Sequence, residues 1–382
     1  MSESQGSMLI YAVGDISPTR VTEYNEPADS VFEEVVDKLK EADVLLCQLA
    51  RTLSTKGSLQ YRAGPTTWYG RTHPDNVKIL VHGGFNLIAL ANNHCFDYGP
   101  ESLIETIDVL RANGMEVIGA GKNLQEARKP AIIAKNGNKV AFLNYNSVLP
   151  EEYEARENKA GCAPIHVDTF YQSQEFQPGT PPKIITIPHE DEVRAMEEDI
   201  RQAKAVADVV VVVMHWGIHI VPGMLADYEF TLGHRAIDAG ADLILGAHPH
   251  SVKGIEVYKG KVVFHSVGDF AQESPNVALR PEGVFKRSQR PHYGMTSRGE
   301  GNRGPKPNKA NYSIMARCLI RGGKIEEVSF IPGLCDSAKR GGPRLLNSQD
   351  PQFEDVVEFA AKWSRELGTE FKVKGDEVVV LT

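Results

Sequence analysis

The stretch Leu87-Ile88-Ala89-Leu90-Ala91-Asn92-Asn93-His94-Cys95-Phe96-Asp97-Tyr98-Gly99-Pro100 decides how this chain is read. Leu87 to Leu90 form a short apolar run, as in a buried strand. The next residues turn polar, and Pro100 opens a helix, where its missing N–H is no loss. Leu103, Ile104, Ile107 and Leu110 then recur at helical spacing on one face, and Gly114 ends the helix. A strand, a polar loop and an amphipathic helix make one unit of an α/β sheet. In such sheets, sites form beyond the carboxyl ends of the strands.

The same pattern extends outward from this unit. Upstream, Leu9 to Val13 is an apolar strand ending in Gly14-Asp15. Ser30-Val31-Phe32-Glu33 reads as a capping box opening a helix to about Lys40. Val44 to Cys47 is the next strand, and Asn76 to Gly83 a short helix. Downstream, Asn136-Gly137 joins the strands Ala131–Ile133 and Val140–Leu143 as a hairpin. Residues 151–185 lack periodicity and read as a surface excursion. A helix from about Glu190 to Ala207 precedes Val209 to Met214, the most apolar strand, and another from Leu225 to Ala239 precedes Leu243 to Leu245. Hairpins follow at Lys259-Gly260 and Gly322-Gly323. A last helix carries Phe353, Val356, Val357, Ala360 and Trp363, and is expected on the outside. The expected domain spans 1–345 with a basic insertion at 271–312, and 346–382 add a C-terminal helix and tail.

Composition narrows the class. The 382 residues are 41% hydrophobic and 24% charged, which suits a large globular enzyme. A net charge of −8 argues against a nucleic-acid-binding surface. No run of about 18 apolar residues appears, so no membrane span is expected. The polar Met1–Met8 segment lacks an apolar signal core, so the expected location is cytoplasmic. The five cysteines are scattered without CxxC spacing and read as reduced thiols.

Ligand-type side chains gather where the strands end. Asp15, Asn93, His94 and His215 each follow an apolar run, as do His248 and His250 in Gly246-Ala247-His248-Pro249-His250. A lone histidine after a strand is commonly a satisfied core residue. Imidazole, carboxylate and amide donors at the ends of several strands instead suit Zn, Mn or Fe, as one ion or two. On a strand, the two rings of His248-Pro249-His250 would share one face.

These motifs resemble the CapA family, named for poly-γ-glutamate capsule synthesis, within the metallophosphatase-like superfamily. The segment from Ala89 to Gly99 is similar to its LANNHxxDxG signature, and Gly14-Asp15 to its GD motif. His215-Trp216-Gly217 is similar to HWG, Gly246–His250 to GxHPH, and Ser266-Val267-Gly268-Asp269-Phe270 to SLGNF. The resemblance implies a four-layer α/β/β/α sandwich with helices outside two facing sheets. It implies Asp15, Asn93, His215, His248 and His250 as metal ligands and His94 as the proton-donating or charge-stabilising histidine. Asp97 would orient His94; its competing reading is a helix N-cap before Pro100.

The chain departs from the family pattern at three places. Gln48-Leu49-Ala50 stands where NLE is usual, so a methyl replaces the carboxylate that would bridge two ions. His219 replaces the Glu of HWGxE, and is a candidate ligand or acid/base. Asp269 replaces the Asn of SLGNF. Residues 271–312 carry eight Lys or Arg against three Glu, which suits a lid recruiting an anionic substrate, or a solvated loop. Arg20, Arg51 and Gln48 are further candidates for substrate contacts. Arg62 and Arg71 could add charge, and Trp68, Tyr69 and Tyr293 could supply apolar walls.

The expected activity is hydrolysis of an anionic small-molecule or peptide-like substrate, a carboxylated amide or a phosphoester. An epimerase or lyase using His94 or His219 is the second reading. A non-catalytic binding or capsule-assembly accessory protein is the third.

Overall fold

The computed structural model describes residues 6–60, 70–175, 182–219, 221, 223–273, 311–336 and 341–382. Two sheets carry the architecture. The first runs in the order Phe371–Lys374, Glu377–Val380, Lys324–Asp336, Tyr312–Arg321, Ser7–Ser17, Val44–Leu49, Leu87–Ala89, Glu116–Ile118. Asp269–Gln272 pairs beside the end of Ser7–Ser17. The second runs Ile255–Tyr258, Lys261–Phe264, Leu243–Ala247, Val209–His215, Asn138–Asn146, Ala131–Lys135.

Why these strands stack into layers follows from the side-chain period of two. Val209, Val211 and Val213 point into one core, shared with Ile10, Leu46 and Leu87 of the first sheet. Val210, Val212 and Met214 point the other way, onto Val193, Met196, Ile200, Leu232 and Ala236. Those partners lie on the helices Glu190–Val206 and Asp227–Ala239. Likewise Tyr11 and Val13 face Ile79, Leu80, Leu103 and Leu110, on the helices Val77–Gly83 and Gly99–Ala112. Strands buried on both faces read as unbroken apolar runs, which is why Val209–Met214 has no polar alternation. The result is the expected α/β/β/α sandwich.

The structure corrects several local expectations. Ser30 does not open a long helix: its hydroxyl donates to the Pro27 carbonyl, and the region folds as the 3-10 turn Ala28–Val31 and the short helix Val36–Leu39. The excursion after 151 contains an antiparallel hairpin, Val167–Gln172 with Lys183–Pro188. Both of its faces stay largely exposed, so no alternation marked it. The first strand does not stop at Asp15 but continues to Ser17 past an irregularity in its pairing. The apolar run Val262–Val267 reads as one strand ending at Gly268-Asp269, but the strand ends at Phe264; the chain then crosses to the first sheet, where Asp269 begins a new strand. The C-terminal helix, Phe353–Arg365, lies on the outside as expected, with Phe353, Val356, Phe359 and Ala360 on the core and Glu354, Asp355 and Glu358 exposed. The tail beyond it forms the hairpin Phe371–Lys374 and Glu377–Val380 at the edge of the first sheet.

Among the described residues, no helix is long and apolar enough to cross a membrane. All five cysteines are free and buried, as their scatter suggested. Most of the basic segment, residues 274–310, lies outside the described residues, as do Arg62, Trp68, Tyr69 and Tyr293.

The crossing to Asp269 explains Gly14. A Cβ there would lie 1.7 Å from the Gly268 carbonyl oxygen, a backbone atom with no room to retreat. Gly14→Ala is therefore expected to destabilise the protein by about 1–3 kcal/mol or more, as overpacked sites do. A denaturant midpoint equal to that of the unsubstituted protein would contradict this placement.

Candidate metal centre

Asp15 and Asp269 lie side by side because their strands pair in parallel, with Asp15 in register with Asp269. Asp15 is fully buried; one carboxylate oxygen accepts the His248 N–H at 3.2 Å, and the other has no hydrogen-bond partner. Asp269 Oδ1 lies 2.6 Å from His250 Nδ1, which is 4.0 Å from Asp15. One donor atom from each of Asp15, His250 and Asp269 falls within 4.8 Å of the others. Burial, with the neighbouring Asp269, raises the Asp15 pKa to about 7, against the opposing pull of His250 and the His248 N–H. Burial by itself would lower His250, but Asp269 and Asp15 push it up to about 9.

Four imidazoles surround this pair. His215 ends the strand Val209–His215, and its ring lies 4.9 Å from that of His248, centre to centre. His219 stacks on His248 at 5.2 Å and meets His250 edge-on at 4.9 Å. Burial holds His215 and His248 well below the ordinary histidine range, helped by the neighbouring imidazoles. His219 keeps accessible surface, yet the surrounding protein and His250 lower it to about 4. His248 and His250 do not lie on a strand, as a shared face would require: the strand ends at Ala247, and both residues have positive φ, 97° and 53°. Such backbone is strained for residues other than glycine. The rings still converge, 6.0 Å apart, because the turn aims them there. Lys253, fully buried, donates to the Val221 carbonyl and to that of Met224 at 3.0 Å, pinning the loop that follows His219.

The loop quoted at the outset supplies the opposite wall. Asn93 Oδ1 lies 3.1 Å from His215 Nε2. His94 is close enough to His248 for its charge to depress that ring's pKa. Asp97 is not the helix N-cap, which is Tyr98. Its carboxylate lies 2.8 Å from His94 Nδ1 and accepts from the Gly70 N–H at 2.6 Å and the Tyr153 hydroxyl at 2.8 Å. An ionised carboxylate only accepts, so Nδ1 carries the proton. Asn92 fastens the loop to the Leu49 and Leu90 carbonyls. Asn144, on the second sheet, accepts the Ala91 N–H at 2.7 Å and so ties the two sheets together.

The remaining candidates sit nearby in different roles. The Arg20 guanidinium is paired with Glu273 at 2.5 Å and donates to the Ser30 carbonyl at 2.9 Å. Arg51 reaches the Glu273 carbonyl at 3.4 Å. Gln48 is buried in register with Asp15, and its amide N–H donates to the Ala89 carbonyl. Arg71 stacks on Tyr98 at 3.9 Å. Ala50 brings no donor. Sequence reasoning left out Asp269 as a ligand, and Tyr153, Asn144 and Lys253 altogether. For Asp269 the signal was there, as a departure from the motif; the other three lie in stretches with no distinctive pattern.

The donors fit a divalent cation. Asp15 Oδ1, His215 Nδ1 and His248 Nδ1 are buried and without hydrogen-bond partners, an arrangement that is costly unless something else satisfies them. Carboxylate, imidazole and amide oxygen are the donor types of Zn, Mn and Fe sites. Residues 9–274 match the family described as bacterial capsule synthesis protein PGA_cap. The chain belongs to this family. Similar PGA_cap relatives include the PGA biosynthesis protein CapA of Bacillus subtilis, 30% identical over 68% of this chain and 61% of that one. The capsule biosynthesis protein CapA of Bacillus anthracis is 27% identical over 68% of this chain and 58% of that one. The chain thus spans about three fifths of the length of these curated relatives. The solved calcineurin-like phosphoesterase YfkN from Bacillus subtilis aligns with 94% of this chain and 97% of its own, at 14% identity and a TM-score of 0.42. That likeness is too distant to bear on the chemistry of the PGA_cap site.

His215→Ala and His248→Ala are each expected to lower metal content to well below that of the unsubstituted protein while the fold survives. Elemental analysis paired with circular dichroism checks this. Full metal occupancy in either variant would remove that histidine from the ligand set.

Proposed function

We propose that this chain is a metal-dependent hydrolase acting on an anionic substrate. The observation that carries this reading is the convergence of donors from Asp15, His250 and Asp269, ringed by the imidazoles of His215, His219 and His248, beside an oriented histidine. Asp15, His215, His248 and His250, with Asn93 and the added Asp269, would hold the cation. When bound there, a divalent cation supplies Lewis acidity toward a substrate oxygen and makes water a usable nucleophile near neutral pH.

The chain's own residues do the rest. Asp97 fixes the His94 tautomer and ring plane, and Tyr153 and the Gly70 N–H hold Asp97 in turn. His94 then presents Nε2 to the leaving group as the proton donor, or to the oxyanion as a stabilising donor. Its partner carboxylate is fully buried, so the pairing is little weakened by solvent. Among anionic substrates, the names of the relatives, which attach to PGA biosynthesis and capsule biosynthesis, favour a carboxylated amide over a phosphoester. Ala50, in place of a bridging carboxylate, also weighs against chemistry that leans on two closely spaced ions. The position of His219 against His248 and His250 favours one alternative, proton transfer at carbon, with His219 or His94 as the base.

A screen of phosphoesters and γ-glutamyl or other carboxylated amides tests the reading, with products followed by mass. His94→Ala is expected to keep its metal and lose about 10²–10⁴-fold in turnover, the usual contribution of general acid–base groups. Asp97→Asn should lower kcat with little change in metal content. Turnover unchanged in His94→Ala would take that residue out of the mechanism. A fully metallated protein that hydrolyses neither substrate class would end the hydrolase proposal, and racemisation without mass change would select the alternative.

A further inference from the structure

A second group of ligand-type side chains lies apart from this centre, at the base of the exposed hairpin. His166 immediately precedes the strand Val167–Gln172, and His189 immediately follows the strand Lys183–Pro188. The two are joined across the hairpin base by the His189 N–H donating to the His166 carbonyl at 2.8 Å. Their rings face each other at 5.4 Å with a 30° tilt. Glu192, in the first turn of the helix Glu190–Val206, reaches back to this base. Its carboxylate lies 2.8 Å from His166 Nδ1 and accepts the His166 N–H at 2.6 Å. One donor atom from each of His166, His189 and Glu192 lies within 4.8 Å of the others. Asp168 stands 3.3 Å from His189 Nε2, in position to be a fourth donor. All three core donors are partly exposed, so a cation can reach them from solvent. His166 and Glu192 also line a cleft of about 670 Å³ whose other walls include Glu151, Glu152, Glu154 and Glu157; Arg156 stands among them, paired with Glu152 and Glu154, and the lining stays acidic overall.

We propose that His166, His189 and Glu192 form a zinc-class divalent-cation site that staples the exposed hairpin to the helix Glu190–Val206. Two imidazoles and a carboxylate are a donor set for borderline metals such as zinc. Zinc ligands lie about 2.0–2.2 Å from the metal, so the donors need only modest side-chain rotation to close on one ion. The proton on His166 leaves to solvent as the metal takes its place. The physical need is visible in the hairpin: a two-stranded ribbon is marginal by itself, and Phe170, Tyr171 and Ile187 are exposed on it. The Tyr228 N–H, on the helix Asp227–Ala239, donates to Thr186 Oγ1 of the hairpin at 3.1 Å. A cation held by both ends of the hairpin and by the helix would add a constraint that local hydrogen bonds do not.

The test uses the full chain stripped with a chelator and dialysed against zinc. The protein is compared with the His166→Ala/His189→Ala double variant and with Glu192→Gln, which keeps the side-chain shape. The double variant is expected to bind one equivalent of zinc fewer, while His215→Ala loses a different equivalent from the centre described above. Zinc at about 100 times its Kd for this site should slow hydrogen exchange across Val167–Gln172 and Lys183–Pro188 by up to about 100-fold in the unsubstituted protein. The slowing should vanish in the double variant and weaken in Glu192→Gln. Equal zinc equivalents in the unsubstituted protein and the double variant would overturn the site and leave an ordinary His–Glu pair. Loss of the equivalent without any zinc-dependent protection of the hairpin would overturn the staple. Neither outcome depends on the fate of the hydrolase reading.

Discussion

A buried carboxylate, Asp15, set beside the partly exposed carboxylate of Asp269 is the constraint around which this molecule is arranged. Asp15 and Asp269 are brought together by parallel pairing of their strands, and the site of Asp15 is too dry to leave its charge uncompensated. The surroundings supply positive charge and donors: the His250 imidazole, the His248 N–H and a ring of further histidines. A divalent cation set among the same donors would offset that charge more fully than a proton can. The left-handed backbone at His248 and His250 belongs to this account, since it aims an N–H at one carboxylate and a ring at the other. Backbone strain of this kind persists only where the surrounding structure enforces it.

Such a site needs the ends of both sheets held in fixed relation. Asn144 does this directly, with its oxygen on the Ala91 N–H and its nitrogen on the Val213 carbonyl. Close backbone approach does it as well. Gly14 leaves room for the Gly268 carbonyl, and Gly246 for that of His265, where a Cβ would sit 2.1 Å away. Glycines beside these candidate ligands are therefore packing requirements, not features of the chemistry. Farther away, the C-terminal helix fills the open side of the inter-sheet core and accepts the Ile255 N–H through Ser364 at 2.9 Å.

The departures from the family pattern take on meaning together. Ala50 carries a methyl where the family has a carboxylate, while Asp269 carries a carboxylate where the family has an amide, paired to His250. His219, in place of Glu, puts another imidazole against His248 and His250. The candidate donors keep the same general character, oxygen and imidazole around a buried Asp15. Arg20, by contrast, is bound up with Glu273, so its charge steadies the strand following Asp269.

Much of this was legible in the residues alone. Apolar runs such as Val209–Met214 exposed the central strands because burial on both faces removes polar alternation. Helical spacing revealed Leu103, Ile107 and Leu110, and positive-φ turn pairs such as Asn136-Gly137 revealed hairpins. The ligand types at the strand ends were equally plain. The hairpin from Val167 to Pro188 was not, because neither of its faces is buried. Tyr153 was invisible because its role is to bond Asp97, far away in sequence.

By itself, then, the amino-acid order determined the alternation of strands and helices and the kinds of donor carried near the strand ends, since those depend on local period and chemistry. Only the tertiary structure decided that Asp269 stands against Asp15, that His248 and His250 converge from a turn, and that Asp97 serves His94 instead of capping a helix. Those pairings are settled by which strands become neighbours and where the chain crosses between sheets, and no local spacing encodes that choice.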